Sequence, residues 1–288
     1  MKQNPENQRM IQLIATDIDG TLLDHQRYIS DTTARVFNQI ALPKILISAR
    51  MPQAMYYLQE ALGILGAPII CYNGALVLHE QEVLHTESIA YPAILQIAQL
   101  GREHGLHVSI YRHQEWFVEQ MDEWTAREVH NTRTQPSKQP LATTLAYFES
   151  TMDQGGAHKI MFMGDKDKMD SAFAKAEQLV ASQVHLYRSK DTYTEISPKG
   201  ISKKSALELL LQKRYTDVAM SRIAAFGDNY NDTEMLAGVG HGVAVENGRE
   251  EVKSAARYMT THHKEDGVAV WLEEHIINKK SGSNEPLS

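Results

Sequence analysis

The chain has 288 residues, 42% of them apolar, with 36 acidic against 29 basic side chains and a formal charge of −7. That length is enough for two domains, and the acidic excess argues against a broad nucleic-acid footprint, so no nucleic-acid partner is expected. The single cysteine, Cys71, rules out an internal disulfide and fits a reducing cytoplasm; set in an apolar run, it reads as a small buried hydrophobe. No apolar stretch approaches the ~20 residues of a membrane helix, and the polar N-terminus lacks the apolar region of a secretory signal. A cytoplasmic protein with no membrane partner is expected.

Residues 11–16 are an apolar run that predicts a short buried strand. It leads into Asp17-Ile18-Asp19-Gly20-Thr21. In an extended chain side chains two apart share a face, so Asp17 and Asp19 are expected to project together past the strand end, with Gly20 permitting a tight turn. Two carboxylates about 4 Å apart repel by roughly 4 kcal/mol at an effective dielectric near 20, so a cation is expected between or beside them. An Asp-x-Asp-Gly segment can also be a plain turn. Its place after a buried strand, where open parallel sheets bind ligands, argues for a site.

Ser30 is a suitable N-cap for a helix to residue 40, and 44–48 is a second strand ending at Ser48. Pro52 suits the first turn of the next helix, 68–72 is a third strand, and Asn73-Gly74 signals a hairpin turn. This β-α-β-α-β order predicts a parallel sheet with helices on both faces. From 85 the rhythm changes: strands at 108–111, 116–118, 158–163 and 184–187 and helices at 92–104 and 168–180 predict an α+β insert with an antiparallel sheet. Trp116 and Trp124 suit a separate small core there. After 197 the α/β pattern returns, with a helix at 202–213, strands at 222–226, 241–245 and 258–260, and a last helix at 268–277. The expected fold class is therefore α/β: a doubly wound, Rossmann-like parallel-sheet core from 10–84 plus 195–277, interrupted by an α+β domain of 85–194. A tail rich in Lys, Ser and Asn, 278–288, is expected to be disordered.

Gly227-Asp228-Asn229-Tyr230-Asn231-Asp232 is a second acidic cluster, at a strand end and a helix start. Helix capping would need one such residue; four within five positions favour a metal site. The histidines do not: His262-His263 would face apart on a strand, and His104-x-x-His107 is interrupted by Gly105 at a helix end.

With these motifs in order, the chain resembles the haloacid dehalogenase-like phosphatases, in the Cof-type branch whose cap domain lies between the second and third motifs. Asp17-Ile18-Asp19-Gly20-Thr21 matches the first motif, and Gly227-Asp228-Asn229-Tyr230-Asn231-Asp232 the fourth. Ser48-Ala49-Arg50 stands for the usual Thr-Gly-Arg: Ser48 keeps the hydroxyl, and Ala49 adds a Cβ where backbone approaches phosphate. Pro198-Lys199-Gly200-Ile201-Ser202-Lys203 matches the third; spacing alone leaves Lys199, Lys203 and Lys204 open, and the family pattern favours Lys203.

The resemblance implies a Mg²⁺-dependent phosphatase acting on a small phosphorylated metabolite, a sugar phosphate or phosphorylated cofactor. It makes Asp17 the nucleophile, forming an aspartyl-phosphate. Asp17 and Asp228 would supply carboxylates to the metal and Asp19 its backbone carbonyl, leaving the Asp19 side chain to act as acid and base. Ser48, Lys203 and Asn231 would hold phosphoryl oxygens, with Asp232 orienting Lys203 or a water of the metal. The insert would be a cap over the site; Tyr111, Arg112 and His113 are candidates for substrate selection or simply a hairpin tip. A phosphomutase or phosphotransferase would use the same intermediate. A catalytically silent metabolite-binding regulator is the third reading, opposed by the intact Asp17, Asp19, Lys203 and Asp228.

Overall fold

The structure, a computed structural model, describes residues 10–278. The N-terminal segment read as lacking a signal and the tail expected to be disordered lie outside the described residues, apart from Met10 and Asn278. Among the described residues no helix is long and apolar enough to cross a membrane.

In chain order, β1 (Leu13–Thr16), α1 (Asp31–Gln39), β2 (Lys44–Ile47), α2 (Gln53–Ala61), β3 (Ile69–Cys71), β4 (Leu76–His79) and β5 (Glu82–Thr86) form the first stretch. There follow α3 (Tyr91–Glu103), β6 (His107–Arg112), β7 (Glu115–Val118), α4 (Glu123–Thr132), β8 (Ser137–Lys138), α5 (Leu141–Ser150), β9 (Lys159–Met163), α6 (Lys166–Val180), β10 (Val184–Lys190) and β11 (Tyr193–Pro198). The last stretch contains α7 (Lys203–Arg214), β12 (Ile223–Gly227), α8 (Thr233–Gly238), β13 (His241–Val245), α9 (Glu250–Ala255), β14 (Tyr258–Thr260) and α10 (Gly267–Leu272). Two compact units result: among the described residues one holds 10–49, Met55–Leu84 and 202–278, the other Arg50–Ala54 and His85–Ile201.

The first unit is built on an eight-stranded sheet of order β14-β13-β12-β1-β2-β3-β4-β5. Its strands from β14 to β3 pair in parallel, and β4 turns back antiparallel to β3. The sequence order runs outward from β1 in both directions, which makes β1 and its neighbours the switch point of a doubly wound sheet. These strands read as unbroken apolar runs because both faces are covered: Leu13, Ile14, Ala15, Ile45, Leu46, Ile47 and Phe226 are all fully buried. Helix α1 starts where expected, with the Ser30 hydroxyl accepting from Thr33 N at 3.0 Å. Cys71 is fully buried, as its apolar surroundings predict.

The second unit has a six-stranded sheet of order β10-β11-β9-β6-β7-β8, antiparallel except where β7 pairs with β8. The boundary drawn at 194/195 needs correction, because it falls inside β11. That strand pairs on both sides, with β9 and β10, and so stays in the second sheet. Helices α3, α5 and α6 cover the sheet through Ile94, Ile97, Phe148, Met169 and Ala172. Trp116 is buried and Trp124 partly so, the latter edge-on to Tyr193 at 5.7 Å. Tyr111 and Arg112 are not a hairpin tip: both are 2% exposed, with the Arg112 guanidinium 4.5 Å from the Tyr147 ring centre and donating to Thr151 Oγ1. Sequence periodicity missed α4, α5 and β11, whose polar and β-branched residues blur a helical or alternating pattern.

Buried in this unit is His158, whose Nδ1 accepts from the backbone N–H of His113 at 3.1 Å. The ring proton therefore sits on Nε2 and donates to Thr86 Oγ1 at 2.9 Å. Burial pushes the ring's pKa down to about 3, and the positive charges that His113, Arg112 and His85 carry or acquire add to the effect. In the unfolded chain the ring takes up a proton near pH 6.5, so folding is penalised as pH falls below that value. Between pH 7 and 5, wild type should lose about 2 kcal/mol more stability than His158→Gln, read from urea unfolding at each pH. Equal pH dependence in the two proteins would contradict this environment for His158.

Candidate active site

Three of the candidate residues follow directly on adjacent central strands. Asp17 comes after β1, Ser48 after β2 and Asp228 after β12. The register pairs Thr16 with Phe226 and with Leu46, so the three strands end at nearly the same level. Asp17 N donates to Phe226 O at 3.0 Å, and Ser48 N to Ile70 O at 2.9 Å, which carries the sheet's pairing into the loops.

Beyond Asp17 the chain does not stay extended. The Ile18 carbonyl accepts from Leu22 N at 3.0 Å and Leu23 N at 3.2 Å, so the loop curls. Asp17 and Asp19 each have their own cation: Asp17 Oδ1 accepts from Lys203 Nζ at 2.5 Å and Asp19 Oδ1 from Arg27 Nη2 at 2.6 Å. Gly20 has φ +86°, and a Cβ there would lie 2.6 Å from Asp228 Oδ2, so no side chain fits between this loop and Asp228.

Lys203 is the first residue of α7, behind the N-cap Ser202, whose N–H and hydroxyl exchange hydrogen bonds with Ser205. A cation at a helix N-terminus opposes the helix dipole. Here two carboxylates compensate: Lys203 Nζ donates to Asp17 Oδ1 and, at 2.6 Å, to Asp232 Oδ1, with all three side chains buried. Of the three lysines left open by spacing, Lys203 is the one that reaches these carboxylates. Lys199 is exposed with Nζ on Ala181 O, and Lys204 lies 3.6 Å from Glu208 on the outside of the helix.

Asp232 is held from both sides, since its Oδ2 accepts from the backbone N–H groups of Asp228 at 3.1 Å and Asn229 at 3.0 Å. Asp228 Oδ1 accepts from Thr21 Oγ1 at 2.9 Å. Asn231 Nδ2 donates to Asn73 Oδ1 at 2.9 Å, and the buried Asn231 Oδ1 has no protein partner. Carboxylate oxygens of Asp17, Asp228 and Asp232 all lie within 4.8 Å of one another. Among the described residues this is the one group of acidic, His or Cys side chains so gathered. His262 and His263, expected to face apart, instead stack at 4.7 Å because they lie in a tight turn rather than a strand.

The charges do not balance. Each pair of carboxylates at this spacing repels by about 3 kcal/mol at an effective dielectric near 20, and one ammonium faces three of them. Burial would push Lys203 down, but Asp17 and Asp232 more than offset this and hold its pKa above the ordinary lysine value. Burial pushes Asp17 well up against the pull of Lys203, with Asp232 and Asp228 adding to the rise. Burial, then the Asp232 carboxylate, pushes Asp228 up to about 7, against the Thr21 hydroxyl and Lys203. A cluster of oxygen donors with excess negative charge is suited to a hard divalent cation.

Sequence reasoning assigned no role to Thr21 and read Asn73-Gly74 as a hairpin-turn signal. It did not consider Asn247, whose Nδ2 donates to Gly20 O at 2.7 Å and whose Oδ1 accepts from His263 N at 3.1 Å. Asn247 lies two residues past the end of β13, close to a parallel strand's end, and that position was the available signal. Asn73 stands in the left-handed region at φ +57°, with its N–H on Ser48 O. Arg50 is 4% exposed, with hydrogen bonds to Ala54 O and Asn131 O.

A sequence profile of the haloacid dehalogenase-like hydrolases matches residues 14–272. The chain belongs to that family. The resemblance read from its four motifs therefore holds, and with named phosphatases among its relatives the protein is a hydrolase of the phosphatase kind. It is 27% identical, over 92% of its length and 97% of the relative's, to a 5-amino-6-(5-phospho-D-ribitylamino)uracil phosphatase of Bacillus subtilis. To a pyridoxal phosphate phosphatase of Escherichia coli it is 26% identical, over 92% and 98% of the two chains. A crystal structure from Thermotoga maritima superposes with a TM-score of 0.81 at 26% identity, covering 92% of this chain and 97% of that one.

Replacing Lys203 with Met should leave the buried carboxylates of Asp17 and Asp232 uncompensated and cost about 3–5 kcal/mol in metal-free buffer. Adding Asp232→Asn on that background should restore part of the loss. Urea titrations showing the single variant as stable as wild type would contradict the buried ion triad.

Proposed function

We propose that this phosphatase hydrolyses small phosphorylated metabolites through an aspartyl-phosphate on Asp17, with Mg²⁺ as cofactor. The observation that carries the reading is the Lys203 ammonium fixed between Asp17 and Asp232, beside Asp228, at the carboxyl end of the central strands. A carboxylate attacking a phosphate dianion must overcome repulsion, so positive charge and alignment must be in place beforehand. Lys203 engages one oxygen of Asp17 and leaves the other for attack on phosphorus. The carboxylates of Asp17 and Asp228 and the backbone carbonyl of Asp19 form the oxygen donor set for the metal. When bound, Mg²⁺ supplies the charge that neutralises the transferring phosphoryl oxygens.

As the bond from phosphorus to the leaving oxygen breaks, the Asp19 carboxyl group gives that oxygen its proton. The carboxylate so formed then takes a proton from water as the water attacks the phosphorus of the aspartyl-phosphate, releasing phosphate and restoring Asp17. Ser48 and the second N–H of Asn231, whose first is spent on Asn73, are assigned to the phosphoryl oxygens. Asp232 orients Lys203. The relatives named for pyridoxal phosphate and for a phosphoribityl compound support a substrate of that size. The complete set of charged groups weighs against a silent binding protein.

Phosphate release from an aryl phosphate tests the reading. Wild type should release phosphate with Mg²⁺ and not with EDTA, and Asp17→Asn should fall by at least about 10³-fold. In Asp19→Ala a good aryl leaving group should still depart, so a single turnover leaves a hydroxylamine-sensitive phosphoryl group on Asp17, seen by mass spectrometry. Undiminished turnover in Asp17→Asn would refute the mechanism.

A further inference from the structure

The ion pair between Arg27 and Asp19 has no part in that mechanism. Arg27 lies in the turn that follows the first acidic motif. Asp24 organises this turn: its Oδ1 accepts from Gln26 N at 2.8 Å and Tyr28 N at 3.0 Å. The backbone closes it with Asp24 N on Tyr28 O at 2.9 Å and Arg27 N on Asp24 O at 3.1 Å. Stacking of Tyr28 on Tyr57, ring centres 6.1 Å apart, fixes the turn against α2. None of these contacts uses the Arg27 side chain.

Arg27 itself stands at φ +58°, the left-handed position of a tight turn, where glycine is the ordinary residue. A bulky residue kept in that conformation directs attention to what its side chain does. The guanidinium donates through Nη2 to Asp19 Oδ1 at 2.6 Å, with the two side chains 44% and 37% exposed. An exposed pair of this kind holds weakly. One hydrogen bond also engages only a part of a five-donor planar fork that matches carboxylate or phosphate.

We propose that Arg27 is a specificity-determining residue that receives a second anionic group, carboxylate or phosphate, carried on the leaving-group side of the substrate. The inference rests on the phosphatase reading above, in which Asp19 exchanges a proton with the leaving oxygen. A cation within one hydrogen bond of Asp19 then stands beside the leaving group. Arg27 remains charged at every working pH, so on substrate binding it trades the Asp19 carboxylate for the substrate's anion. That exchange releases Asp19 for the leaving oxygen. Substrates with a neutral leaving group leave the pair in place and react more slowly.

The test compares matched aryl phosphates, 3- and 4-carboxyphenyl phosphate against the corresponding carbamoylphenyl phosphates, which have nearly the same shape without the charge. With Mg²⁺, wild type should favour the carboxylate of at least one isomer pair by about tenfold or more in kcat/KM. The preference should shrink as salt is raised. Arg27→Gln and Arg27→Gly should bring the ratio close to one, while Arg27→Lys keeps part of it. Arg27→Gly should also match or exceed wild type in thermal midpoint, because glycine suits the backbone. A wild-type ratio near one, a ratio that survives in Arg27→Gln, or a clear loss of stability in Arg27→Gly would overturn the proposal while the phosphatase reading stands. No Mg²⁺-dependent release from any of the esters would overturn both.

Discussion

One ammonium among buried carboxylates is the constraint on which the rest of the site depends. Lys203 reaches Asp17 across 186 residues of chain and meets Asp232 at the same nitrogen. Burying such a group is unfavourable unless each partner is close and well aligned, and the helix that carries it contributes a dipole of the wrong sign. The arrangement persists because other contacts over-determine it. The Ser202–Ser205 capping box starts α7 at that residue, and two backbone N–H groups fix the far oxygen of Asp232. Stability alone would favour an apolar side chain here. On the proposed mechanism, a pre-set cation beside a carboxylate nucleophile is what the chemistry requires.

The same economy of position extends to the loops. In a doubly wound sheet the strands either side of the first one end together, and their connections leave in different directions. Here three of those connections are tied to one another by single hydrogen bonds. Thr21 after β1 holds Asp228 after β12; Asn247 after β13 holds the Gly20 carbonyl; Arg249 N donates to Asp228 O at 2.9 Å. Gly20 and Gly227 are the points of closest approach, since a Cβ on Gly227 would lie 2.5 Å from Asp232 Cβ. Sheet register and loops that lock each other thus place the carboxylates around the Lys203 ammonium.

How much of this is legible in sequence follows from the range of the interactions. The parallel core announces itself because a strand buried on both faces must be apolar along its length, and the acidic clusters because capping does not call for so many acids. Lys203 could not be separated from Lys199 and Lys204 by spacing; a contact across most of the chain decides it. Asn73, Asn247 and Arg27 escaped for the same reason, each being an ordinary loop residue until its partner is known. In the second unit β11 was missed because its short mixed run of Thr194, Glu195 and Ser197 with Tyr193 and Ile196 looks the same at a domain boundary as inside a sheet.

The electrostatics of the two acidic residues of the first motif then differ in kind. Asp17 is buried, and its partner Lys203 is buried with it, so neither can leave without exposing an uncompensated charge to a low-dielectric interior. Asp19 and Arg27 are both partly in water, where exchanging one partner for another is nearly free. A nucleophile gains from the first situation, since its geometry must not drift between substrate binding and attack. A group that hands over a proton and takes one back gains from the second, since its partner must yield during the cycle. On the proposed mechanism, two carboxylates only two residues apart in sequence are thus separated in role by their own burial and by the burial of the cation each one faces.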